Sequence, residues 1–137
     1  MTTKIDNAQE EAQAQLESIK EMVENLRAAD DQVRDGGDDL TREKAELAIT
    51  ESPLEVAVRS DWHEPGISAK EALAAEYKIL LCAGGPAVRI IGTLGKYEPD
   101  SARIEYQDWG TPWTEYRMSH DDEQIVLEYA RCFYFGE

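Results

Sequence analysis

Cations are scarce in this chain. Asp and Glu number 29 against 14 Lys and Arg, giving a formal net charge of −15 over 137 residues. Nucleic acid phosphates must be neutralised by Lys and Arg, so direct nucleic-acid binding is disfavoured. Docking on an anionic membrane is disfavoured for the same reason. An acidic chain suits a basic protein partner, although the charge also serves solubility alone. Cysteine and histidine are rarer still, at two each. Cys82 and Cys132 cannot build a disulfide framework. Both lie in apolar runs, which predicts buried, unlinked thiols in a cytoplasmic protein.

No apolar run approaches the ~18 residues of a membrane span. Lys4 leads into a polar stretch instead of the apolar centre of a secretory signal. Metal motifs are also missing. His63 lies between Asp61 and Glu64, but no second histidine stands at a ligand spacing, and His120 is far away at a helix start. Structural sites need four convergent ligands, so neither metal nor cofactor is expected. Gly84-Gly85 precedes Pro86 and an apolar strand, whereas a phosphate loop needs Lys-Ser/Thr and a helix. Tyr129, Phe133 and Tyr134 around Cys132 point to burial, not to an activated thiolate. Adjacent acids such as Asp30-Asp31 or Asp121-Asp122 lack a cleft that would split their pKa values. The composition predicts a binding protein, not an enzyme.

What the sequence does contain is a heptad helix. With Gln9, Leu16, Val23 and Asp30 at a, the d positions are Ile5, Ala12, Ile19, Leu26 and Val33. A helix over about 6–35 is expected, rich in Ala, Glu, Gln and Leu and free of Gly and Pro. Gly36-Gly37 ends it, and a shorter helix over about 39–49 follows, capped by Asp38 or Asp39. The diglycine can be a kink or a hairpin turn. Glu17–Lys20, Glu24–Arg27 and Asp31–Arg34 are spaced to pair along the helix. The seam is narrow and predicts a homodimer through the N-terminal helix, the alternative being cover from the same chain.

After Ser52-Pro53 the period changes to two. Strands are expected from Leu54, over Glu76–Ala83, over Ala87–Leu94 and over Ala102–Gln107. Ser68–Ala75 suggests one or two helical turns. Ser119 caps a final helix running to about Phe133. Between the last strand and this helix lies an aromatic loop in which Trp109 and Trp113 bracket Gly110 and Pro112. Such residues serve equally as interface anchors or as the margin of a core. The expected architecture is α+β: residues 1–52 as a helical, coiled-coil arm, and residues 53–137 as a four-stranded, mostly antiparallel sheet with a C-terminal helix.

The stretch Glu76–Gly92, the segment Gln107–Tyr116 and the terminal Tyr129-Ala130-Arg131 with Phe133–Glu137 resemble a family of small acidic phage and prophage proteins that carries no assigned activity. The resemblance spans roughly residues 54–137 and carries over no functional residues. By analogy it implies an inhibitor of host defence, of anti-CRISPR or anti-restriction type, acting in the host cytoplasm. The partner would be a basic, nucleic-acid-binding host effector. Asp30, Asp31, Asp35, Asp38 and Asp39 are then the expected contact acids, with Trp109 and Trp113 as anchors. The alternative is an oligomeric phage accessory or assembly protein.

Overall fold

The computed structural model describes residues 4–37, 39–60, 62, 65–66, 74–83, 85–95, 98–108 and 110–135. Among the described residues, three helices, α1 (Lys4–Arg34), α2 (Asp39–Thr50) and α3 (His120–Ala130), accompany six strands. The strands are β1 (Glu55–Ser60), β2 (Ala74–Cys82), β3 (Ala87–Gly95), β4 (Glu98–Pro99), β5 (Arg103–Gln107) and β6 (Thr114–Tyr116). They form one antiparallel sheet in the order β1-β2-β3-β5-β6, with β4 added to the end of β3.

The α+β class holds, but the sheet has six strands where four were expected. The two extra strands are two and three residues long. Such lengths fall below what an alternating pattern can reveal. The helical turns expected over Ser68–Ala75 lie largely outside the described residues; at their end, Ala74 and Ala75 already belong to β2.

Strand alternation decides which face is buried. Ile79 opposes Ile90, Ile90 opposes Ile104, and Val88 opposes Tyr106. All five side chains are buried. Tyr77 opposes Gly92 and reaches across it, donating its hydroxyl to the Ser101 carbonyl at 2.7 Å. Phe135 returns over this tyrosine, with ring centroids 5.0 Å apart.

α1 covers this face. Its Leu16 and Val23 at a, and its Ala12, Ile19 and Leu26 at d, are buried in the same cluster as the sheet residues. The helices expected as a separate arm thus share the core of the sheet. The seam is also wider than an a/d reading suggests. Ala8 and Ala29, at g, are buried, and Met22, at g, is partly so. An a/d/g stripe is the broad face of a globular helix. The seam expected to join two chains is therefore covered within one chain. Small residues at g hide this, because alanine adds little to a hydrophobic pattern while allowing close approach.

The diglycine is a hairpin turn. Gly36 N–H donates to the Val33 carbonyl at 3.0 Å and Gly37 N–H to the Gln32 carbonyl at 2.6 Å. This is the paired C-terminal cap that needs a left-handed residue, and Gly36 supplies it at φ 93°. α2 then folds back along α1, locked by Arg42 on Asp30 at 2.5 Å. Ser52, just beyond α2, meets the Tyr129 hydroxyl at 2.6 Å and so ties the hairpin to α3. Ser119 caps α3 as expected, accepting from the Asp122 N–H.

Both cysteines are unlinked, as expected, but half-buried, where full burial was expected. Cys82 points from β2 towards Glu11 of α1, 3.8 Å away. Burial first, and then the Glu11 charge, raises its thiol pKa above the usual value. Burial first, and then Glu46, does the same for Cys132. A raised pKa leaves less thiolate at neutral pH. Native-state labelling by a thiol reagent should therefore be slower than for a free thiol at pH 7.5, and should reach the free-thiol rate on unfolding. Rapid labelling of both cysteines in the folded protein would contradict this.

Candidate acidic interaction face

The partners taken by the cations of α1 decide which of its acids stay unpaired. Lys20 turns across to Asp122 of α3 at 3.1 Å and keeps Glu17 only at 3.9 Å. Arg27 grips Glu128 of α3 with its guanidinium. Arg27 thus gives its hydrogen bonds to Glu128 and not to Glu24, which keeps only a longer-range attraction to Lys20 and Arg27. Asp31 does pair with Arg34, as the spacing suggests. Lys20 and Arg27 clamp the neighbouring helix, and the carboxylates they leave behind face solvent.

Those carboxylates form a row. Glu10, Glu17, Glu21, Glu24, Asp31 and Asp35 are all exposed. At 3.6 residues per turn they fall within a sector of about 80°, and at 1.5 Å per residue they extend over about 37 Å. Glu10, Glu21, Glu24 and Asp35 make no ion pair with any described residue. Past the turn, Asp39 and Glu43 of α2 are exposed as well.

The acids singled out from sequence divide accordingly. Asp30 is half-buried and held by Arg42, so it is structural. Asp31 is exposed but bonded to Arg34. Asp35 and Asp39 are exposed at the hairpin end. Asp38 lies outside the described residues. Glu10 and Glu24 are not among the acids the sequence singles out, since spacing alone pairs Glu24 with Arg27. The signal that finds them is three-dimensional: Lys20 and Arg27 have better partners on α3.

Trp113 lies on the opposite side, on the sheet face that no described helix covers. It is half-buried, with the Arg89 guanidinium 4.0 Å from its ring centroid. Arg89 in turn bonds Glu105 across the strands at 2.9 Å. This arrangement reads as a cation–π cap on a partly desolvated ion pair. The loop before it is closed by Thr111, whose hydroxyl accepts from Asp108 N–H at 2.9 Å. Trp109 lies outside the described residues. Trp113 and the α1 acids occupy different faces, so they do not form one contact patch. His63 also lies outside the described residues. Among those described, no three His, Cys, Asp or Glu side chains gather as metal ligands would. No described helix is long and apolar enough to cross a membrane.

No family model matches the chain, and neither does any curated protein or solved structure.

Proposed function

We propose that this protein is a phage-encoded inhibitor that binds a basic, nucleic-acid-handling host defence protein and occludes its groove. The observation that carries this reading is the exposed carboxylate row along α1, in which four of six acids make no ion pair with a described residue. A rigid helix held on its own sheet presents charge at fixed spacing, which a disordered acidic tail does not. Duplex DNA carries a charge about every 1.7 Å of axis, and the row is sparser. It would engage a few cations of a phosphate-binding groove instead of reproducing a duplex. Charge complementarity of this kind speeds encounter and sets specificity more than it adds raw affinity.

A pull-down from host lysate at low and high salt tests the reading, using wild type and the variant Glu10→Gln, Glu21→Gln, Glu24→Gln, Asp35→Asn. All four side chains are exposed, so the fold should persist. Wild type should capture a nuclease or other defence effector at low salt and release it as salt rises, since screening shortens the reach of exposed charge to about 8 Å. The variant should bind at least about tenfold more weakly. Equal inhibition by both proteins would reject the carboxylate mechanism. Recovery of phage proteins alone would favour an accessory or assembly role.

A further inference from the structure

β1 ends the sheet, and among the described residues nothing pairs with its outer edge. An open edge strand is normally guarded by proline, by an inward-pointing charge or by being very short. β1 has six residues, no proline and no inward-pointing charge; its charges, Glu55 and Arg59, lie on the outer face, and its register irregularity lies at its far end, Arg59/Ser60. Val56 opposes Ile79 and Val58 opposes Tyr77, so both valines belong to the face that the helices cover. They are nevertheless 38% and 46% exposed, and Leu54 is 65% exposed. Exposed valines on the helix-covered face and an edge backbone are thus left open side by side.

We propose that β1 pairs antiparallel with β1 of a second copy of this chain, about a twofold axis through Ala57, joining two sheets into one. Charge complementarity selects this occupant. The strand reads Glu55-Val56-Ala57-Val58-Arg59, which is its own antiparallel complement. Glu55 faces Arg59 of the second copy, and Val56 faces its Val58. Within each chain Glu55 already meets Lys78 at 3.7 Å, and Arg59 meets Glu76 at 2.9 Å. Across the junction the outer face would therefore read Lys78, Glu55, then Arg59 and Glu76 of the second copy, alternating in sign. Opposite charges directly across a strand pair stabilise it, and like charges destabilise it. A parallel pairing would set Glu55 against Glu55. A one-residue slip would turn the valines to the other face, and a two-residue slip would set either Glu55 or Arg59 opposite Ala57 and break both charge pairs. The interface is isologous and closes at two copies.

Sedimentation velocity of the full chain over roughly 10–200 μM tests the proposal, since affinities in this range are the ones it resolves. Wild type should shift towards a species of twice the chain mass. Glu55→Arg and Arg59→Glu each set like charges against one another at both ends of the junction. Either variant alone should associate at least about tenfold more weakly. Their equimolar mixture should restore a heterodimer. One chain then carries guanidinium groups at both positions 55 and 59 and the other carries carboxylates at both, so each facing pair is again opposite in sign. That rescue also shows that both variants are folded. Val56→Lys, at a position already exposed in the single chain, should abolish the dimer while leaving circular dichroism unchanged. A wild-type monomer throughout the range overturns the proposal. So does a dimer indifferent to these variants, or a mixture of folded variants that stays monomeric.

Discussion

Replacing Gly92 by alanine should cost about 3 kcal/mol or more of stability, the upper range for overpacking a core. A Cβ at this position would fall on the Ser101 carbonyl oxygen and lie 2.9 Å from Tyr77 Cε1. The first obstacle is backbone and cannot rotate away. Moving it would break the Tyr77–Ser101 hydrogen bond and disturb Ser101 Oγ, which accepts from Thr93 N–H at 3.0 Å. The buried Tyr77 hydroxyl would then lose its acceptor, a further cost of about 1–3 kcal/mol. Burial already raises its pKa far above the usual tyrosine value, so it cannot escape by ionising near neutral pH. Denaturant unfolding gives the measurement, with Gly85→Ala as control, where an added Cβ meets nothing within 4 Å. Equal stability of the two variants would show that the strand relaxes around position 92.

Ile19→Ala should destabilise by about 2–5 kcal/mol, as expected for a fully buried isoleucine. The loss relative to wild type should be the same at every protein concentration, because Ile19 packs within its own chain. A seam joining two chains would instead give a loss that changes with concentration. Glu21→Ala, on the exposed side of the same helix, should stay within about 0.5 kcal/mol. A large Glu21 effect, or a small Ile19 effect, would reverse the assignment of faces on α1.

The helices were legible in the sequence because their signals are local. Gly36-Gly37 and Ser119 are terminators and caps, each acting within a few residues. The middle strands were legible because Ile79, Val88, Ile90 and Ile104 are concentrated on one face. What covers α1 was not legible. A 3–4 stripe says only that something apolar lies opposite, and alanines at g carried the evidence that it is a sheet. The charge pattern failed for a related reason. Spacing shows that Arg27 can reach Glu24, but not that Glu128, on a helix far later in the chain, offers a better grip. Strands β4 and β6 are pairing events at the ends of longer neighbours, with too few residues to show a period.

The order of synthesis meets an obstacle in the way α1 is covered. Its sheet partners are β3 and β5, and its lateral clamp is α3, all 50 or more residues later in the chain. At about 5–20 residues per second, α1 would leave the ribosome several seconds before β5 exists to receive it. During that interval Leu16, Ile19, Val23 and Leu26 have only α2 for shelter, and α2 contributes one fully buried residue, Ile49. The carboxylates along the opposite side of α1 would then serve the nascent chain, keeping an exposed amphipathic helix soluble until its sheet arrives.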